Sequence, residues 1–324
     1  MVACALLWLR NAFVKGTHEH SVDERNSGIL IDINGELLPR ERAVVSVFDS
    51  GFILGDGVWE GLRVEGGTVL FLEQHLERLY EGMHTLDFDM DVDRDALTRR
   101  LYGALAANDM SDGVHIRLMV SRGVKSTPYQ DPRMTITAPT VVIIPEYKTA
   151  LPETVESGVT LFTVHVRRGY PDVQDPTLNT HSKLNCVTAC IQAAKAGYDE
   201  ALMLDPHGFV ATCNSTHFFI VRRGELWTST GNYCLDGITR RKVLTLAAEE
   251  GMTVCERNFT LTDVYNAEEA FVTGTFAGLV PVREVDGRSI GAAKRGPVVA
   301  QLQSAYRQRV RDYIAGPGRS HPRD

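Results

Sequence analysis

The chain has 324 residues, 44% hydrophobic and 23% charged, an ordinary composition for a folded protein and too long for a single core, which stops growing near ~250–300 residues. A net charge of −7 argues against nucleic acid or an anionic membrane surface as the main partner. No apolar run approaches the ~18–20 residues needed to span a bilayer, so no membrane partner is expected.

The start "MVACALLWLRNAF" is apolar for its first eight or so residues but has no basic leader and no clear small-residue cleavage site. It is read as a segment that packs on the domain, or as a misplaced start, within an N-terminal extension 1–27. Residues 28–48 alternate polar and apolar around Asn34-Gly35, the signature of a hairpin leading into "VVSVF". Leu72, Leu76, Leu79, Tyr80, Met83 and Leu86 recur at helical spacing, and a second helix is expected over 92–107. "GVHIRLMVSRG" and "PTVVIIPEY" read as strands, and they complete a small domain, 28–147.

A polar stretch around "EYKTALPETVESG" reads as a linker, placed at 148–157. Beyond it come a strand, "VTLFTVHV", an irregular approach, "GYPDVQDPTLNTH", and a helix opening at Lys183. Next are a strand at "EALMLD" and a hairpin, "HFFIVRRGELWTST", turning at Arg223-Gly224. The helix "GITRRKVLTLAAEEG" ends on Gly251, as a C-terminal glycine allows. Strands at "EAFVTGT" and "LVPVREV", a turn at Asp286-Gly287 and a helix from 297 to 313 complete a larger domain, 158–315. The tail 316–324 is read as disordered. The fold class is α+β, with antiparallel sheets dominating the first half.

Cys4, Cys186, Cys190, Cys213, Cys234 and Cys255 form no CxxC pair and have no zinc spacing, so no metal site is expected and a reduced, cytoplasmic setting fits. Lys183 is the anomaly. A helix start disfavours cations, yet a lysine stands there among His181, Ser182 and Asn185. "GIT" (237–239) opens a helix whose free N–H groups suit an anion. "TGT" (273–275) adds hydroxyls on a tight turn, and Arg78 in "HLERL" offers a two-pronged guanidinium. Singly each is weak, since "GIT" is most often only a helix start and "HLERL" a solvated face. Together, a phosphate cup and an isolated lysine are what pyridoxal phosphate needs.

With "VFDSGFILGDGVWEGLRVEGGTVLFLEQHLERL", "GYDEALMLDPHGFV", "CLDGITRRKVL" and "FVTGTFAGLVPVREVDG", the sequence resembles the class IV aminotransferases, the fold type IV pyridoxal phosphate enzymes. That resemblance runs from about Ile29 to Tyr313. It implies a small N-terminal α/β domain, a larger barrel-like C-terminal domain that binds the cofactor, and a homodimer. It makes Lys183 the Schiff-base lysine, although Lys183 lies several residues closer to "GYDEAL" than in better-known relatives. It makes Arg78 the phosphate arginine, Ile238 and Thr239 the phosphate amides, Thr275 the phosphate hydroxyl, and Gly274 part of that turn.

One position departs from the family. Thr212 stands where relatives have the glutamate that pairs with the pyridine nitrogen, and threonine is expected instead to donate a hydrogen bond to a neutral nitrogen. Transamination by a less charge-assisted path, a carboxylate shifted in from elsewhere, and chemistry moved toward elimination or racemisation all stay open. The Arg-x-His trap of D-amino acid aminotransferases is absent. Arg168, Tyr129 and Lys125 are substrate candidates, with Arg133 and Arg167 beside them, although such charges are more often solvated surface groups. The reading is a transaminase acting on an amino acid or amine and a 2-oxo acid. A lyase of the aminodeoxychorismate type and an inactive binding protein stand as alternatives.

Overall fold

The computed structural model describes residues 17, 18 and 20–316, so the apolar start and the tail 317–324 lie outside the described residues. The chain forms two compact units that are not continuous in sequence. The N-terminal unit comprises Asp23–Lys148, the short segment Pro176–Leu184 and the chain from Arg307 on; the C-terminal unit comprises the residues up to Val22, Thr149–Asp175 and Asn185–Tyr306.

The N-terminal unit is built on a six-stranded antiparallel sheet. Its strands are β1 (Leu30–Ile33), β2 (Glu36–Pro39), β3 (Gly57–Glu65), β4 (Thr68–Val69), β5 (Val114–Ser121) and β6 (Thr140–Tyr147), in the order β2-β1-β6-β5-β3-β4. Asn34 and Gly35 both take positive φ, 54° and 91°, which is what a two-residue hairpin turn of the right twist requires. In β5 the alternation is strict: Val114, Ile116, Leu118 and Val120 are fully buried, while His115, Arg117 and Met119 face the other side. Helices α2 (Leu72–Thr85) and α3 (Arg94–Ala107) supply Leu76, Leu79, Met83, Leu97 and Leu101 to the same core. A short helix α1 (Ser50–Leu54), capped by the Asp49 carboxylate on the Gly51 amide at 2.9 Å, was not legible in the sequence.

Among the described residues the C-terminal unit holds nine strands. They are β7 (Val159–Thr163), β8 (Glu200–Leu204), β9 (Val210–Cys213), β10 (His217–Arg222), β11 (Glu225–Thr228), β12 (Val254–Glu256), β13 (Glu269–Gly274), β14 (Gly278–Val285) and β15 (Arg288–Ser289). The order is β12-β11-β10-β13-β14-β7-β8-β9, with β15 beside β14. Strands β8, β9 and β10 are buried on nearly every residue, so they read as apolar runs rather than alternations. Between the parallel strands β7 and β8 the chain passes through α5 (Leu184–Lys195), the crossover that parallel pairing demands. Val243 and Ala247 of α6 (Ile238–Glu249) pack on the same cluster as Val299 and Leu302 of the last helix (Pro297–Ala315). The connecting stretch 148–157 is not wholly extended: Pro152–Ser157 forms a short helix, α4, started by proline at its first position.

Candidate active site

Lys183 owes its place to strand pairing. The Trp59 amide donates to the Asn179 carbonyl at 2.9 Å, and the His181 amide donates to the Gly57 carbonyl at 2.9 Å. The Trp59 indole N–H reaches the Thr180 carbonyl at 3.0 Å, and His181 Nε2 meets the Val58 carbonyl at 2.9 Å. Residues 179–181 are thereby zipped onto the start of β3, and α5 begins one residue after Lys183. Its Nζ lies 5.5 Å from the centre of the Trp59 ring. The Arg117 guanidinium stacks on that same ring at 3.8 Å, and burial holds its pKa below the usual arginine range.

The sequence motifs do not single out Trp59, Arg117 or their neighbour His115, although a signal is present. Period-two alternation in "GVWEGLRV" and "VHIRLMVS" puts Trp59, Gly61 and Arg63 on one face of β3 and His115, Arg117 and Met119 on one face of β5. The register then sets Trp59 opposite Met119, Gly61 opposite Arg117 and Arg63 opposite His115. A side chain at Gly61 would crowd the rings, since a Cβ there would sit 3.2 Å from the His115 imidazole.

Arg78 is held from the opposite face of β3. Its Nε and Nη2 donate to the two oxygens of Glu60, each at 2.7 Å, and His75, one helical turn earlier on α2, contacts Glu60 Oε2 at 2.7 Å. Glu60 and His75 are both 1% exposed. Burial works against the Glu60 charge, yet Arg78 and His75 more than offset it and hold the carboxyl below its ordinary pKa.

The other anchoring candidates gather within the C-terminal unit. Helix α6 has Gly237 as its N-cap, with no side-chain cap and no acidic residue in its first turn, and Ile238 and Thr239 are buried there. His217, at the head of β10, braces the loop before this helix: its Nε2 lies 2.7 Å from the Leu235 carbonyl, and a Cβ on Gly237 would fall 2.3 Å from its ring. His217 also pairs with Thr273 across to β13, which ends at Gly274 and leads into Thr275. Thr273 is fully buried, and its hydroxyl has no hydrogen-bond partner among the described residues.

Thr212 is 5% exposed, and its hydroxyl donates to the Thr216 carbonyl at 2.8 Å. The proton is committed to the turn, and only acceptor lone pairs remain. The buried carboxylate next to that turn is Glu200. Its Oε1 accepts from the Ser215 amide at 3.2 Å, the Ser215 hydroxyl at 2.7 Å and the Thr216 hydroxyl at 2.8 Å. Burial pushes its pKa up.

The substrate candidates are divided between the two units. Lys125 is not a solvated charge but 1% exposed, its ammonium donating to the Asp131 carbonyl at 3.0 Å and stapling the loop 122–136. Tyr129, on that loop, is exposed, and the Arg133 side chain is 86% exposed in a pair with Asp131. Arg168, in the C-terminal unit, is half-buried. Its Nε donates to the Tyr233 carbonyl at 3.1 Å and its Nη1 to Asn185 Oδ1 at 3.2 Å, so it tethers the loop before α6 to α5.

The donors fit a phosphate-bearing cofactor with an aldehyde. Within the C-terminal unit an uncapped helix start, an unsatisfied buried hydroxyl and a tight threonine turn suit an anion; within the N-terminal unit the lysine that follows the paired residues 179–181 suits a carbonyl. The model of the amino-transferase class IV family matches residues 57–285: the chain belongs to that family and has the type IV fold. Its relatives include a putative branched-chain-amino-acid aminotransferase of Methanocaldococcus jannaschii, 39% identical over 86% of this chain and 95% of that one. A branched-chain-amino-acid aminotransferase-like protein 2 of Arabidopsis thaliana is 38% identical over 87% of this chain, which spans about half (50%) of its length. Among solved structures, the branched-chain amino acid aminotransferase of Thermobaculum terrenum in its PLP-bound holo form superposes with a TM-score of 0.78 at 26% identity, covering 88% of this chain and 94% of that one.

Proposed function

We propose that the chain is a pyridoxal 5′-phosphate-dependent transaminase that moves an amino group between an amino acid or amine and a 2-oxo acid, with Lys183 as its catalytic amine. The observation that carries this reading is the pairing of 179–181 with β3, which presents Lys183 beside the Trp59 indole. When bound, the cofactor supplies an aldehyde that condenses with amines and a ring that withdraws electrons from the carbon losing its proton. Lys183 Nζ holds the resting cofactor, then takes the substrate's α-proton as general base and returns it as general acid. The Ile238 and Thr239 amides, the Gly274 turn, the Thr275 hydroxyl and Arg78 bind phosphate. With its hydroxyl donating to the Thr216 carbonyl, Thr212 would have lone pairs left to accept a hydrogen bond from a protonated ring nitrogen.

Arg117 on its indole platform is the group we assign to a substrate carboxylate, ahead of Arg168, Tyr129 and Lys125, whose polar groups are engaged elsewhere or exposed. The names of the relatives support branched-chain amino acids and their oxo acids as substrates. No observation favours the lyase alternative. A homodimer is the assembly we infer, because Val44, Val47 and Phe52 lie 73%, 68% and 71% exposed in one short stretch. A reducing, cytoplasmic setting is supported by the described cysteines, all five of them free. Among the described residues no helix is long and apolar enough to cross a membrane.

The decisive experiment is borohydride reduction of the protein with pyridoxal phosphate, followed by peptide mass spectrometry. The adduct is expected on Lys183, and an adduct on another lysine, or none, overturns the assignment.

A further inference from the structure

Thr17, His18 and His20 precede the stretch that matches the family, and the proposed reaction gives them no role. Their contacts are specific. The Thr17 hydroxyl, 4% exposed, donates to Glu200 Oε2 at 2.9 Å. His18 Nε2 lies 3.1 Å from the Ser215 hydroxyl, and its ring stacks on Phe276 at 5.5 Å with the planes 15° apart. The His20 ring meets Phe276 edge-on at 6.2 Å, while its Nδ1 lies 2.8 Å from the His18 carbonyl.

These contacts converge on two turns. One is 213–216, whose Ser215 and Thr216 hydroxyls donate to Glu200 and whose Thr216 carbonyl accepts from Thr212. The other follows β13: Phe276 comes directly after Thr275, and a Cβ on Gly274 would sit 3.5 Å from the Thr216 methyl. Glu200 is the shared post. Three donors from the 215–216 turn meet its Oε1, and Thr17 meets its Oε2, so the carboxylate ties this short segment to the turn that carries Thr212's partner. All of the donors are neutral, so each counts heavily for a carboxylate taken out of water.

We propose that Thr17, His18 and His20 form a positioning strap, which through Glu200 and Phe276 fixes the 212–216 turn and the Thr273–Thr275 turn in cofactor-binding geometry. This inference rests on the proposed function for its ligand but not for its geometry. Removing the strap leaves Glu200 Oε2 short of a donor and uncovers Phe276, which is now 6% exposed. Both turns then sample conformations in which their hydroxyls and amides no longer converge.

The test uses the full chain carrying T17V, H18A, both together, and the conservative T17S. Two readouts are taken: pyridoxal phosphate affinity by quenching of tryptophan fluorescence, and amide exchange of peptides spanning 212–217 and 273–277. The double variant should bind the cofactor about tenfold more weakly, the size expected for lost hydrogen bonds to a carboxylate. Exchange should rise in those two peptides and not in β5 or α2, and T17S should restore both readouts. A wild-type chain that binds cofactor while the double variant matches it within about twofold, with unchanged exchange, overturns the strap. Exchange that rises everywhere overturns it too, as general destabilisation. A wild-type chain that fails to bind pyridoxal phosphate overturns the proposed function instead, and the exchange data still decide the strap.

Discussion

Replacing Glu60 with alanine removes the acceptor of three 2.7 Å contacts, two from Arg78 and one from His75. The Arg78 side chain is 12% exposed and His75 1% exposed, so neither can recover its partner from bulk water. Breaking one member of a buried ion pair costs about 3–5 kcal/mol, the range expected for E60A. In urea this lowers the unfolding midpoint by roughly 1–2 M at ordinary denaturant slopes. Trp59, next in sequence and already in contact with Arg117, reports the transition by fluorescence. The pH dependence carries the same signature. The folded pKa of Glu60 lies below its unfolded value near 4.5, so its charge stabilises the fold fully above that value. The contribution is lost as pH falls through the lower folded pKa. Wild type should therefore shed stability in acid that E60A has already lost, and the two curves should converge as pH falls through the lowered folded pKa of Glu60. A loss under about 1 kcal/mol at neutral pH, as for an exposed pair, or an unchanged gap between the curves in acid, would refute the reasoning.

Arg78→Ala should weaken pyridoxal phosphate binding roughly 10–100-fold, the loss expected for a charge-assisted phosphate contact; equal retention after dialysis would leave Arg78 as a partner of Glu60 alone. Gly237→Ala places a Cβ 2.3 Å from the His217 ring, so His217 or the start of α6 must move. That overpacking should cost about 1–3 kcal/mol in thermal unfolding and lower cofactor affinity with it, and wild-type values for both would show that the helix start is not braced by His217. Phe52→Asp puts a charge in the exposed apolar stretch 44–52, and light scattering should show a smaller particle than wild type; no change would move the inferred dimer contact elsewhere.

The elements that sequence reasoning found are those whose signals are local. Asn34-Gly35, Arg223-Gly224 and Asp286-Gly287 are hairpin turns because their backbones take positive φ, a property written in two residues. The helix 72–85 follows from apolar spacing, and the helix 238–249 from the glycines that flank it, Gly237 and Gly251. Lys183, Ile238, Thr239, Gly274 and Thr275 could be singled out for the same reason, since a helix start or a threonine turn offers its donors wherever it is placed. The short helix Ser50–Leu54 and the three-residue strand Val254–Glu256 escaped because so few residues carry no period.

What a charged or polar side chain does was settled by the partner that the folded chain brings to it. Lys125 looks like a surface lysine until the loop 122–136 folds over it. Thr212 looks like a donor to a ligand until the Thr216 carbonyl accepts its hydrogen bond, and the Thr17 hydroxyl reaches the buried Glu200 from 183 positions away. Trp59 meets Asn179 and Thr180 across some 120 residues, and only that pairing sets Lys183 beside the indole. Period, cap and turn are short-range consequences of backbone sterics and amphipathicity, so the sequence alone could declare them. Desolvation, and the choice of which neutral donor or opposite charge answers it, exists only once distant segments have packed.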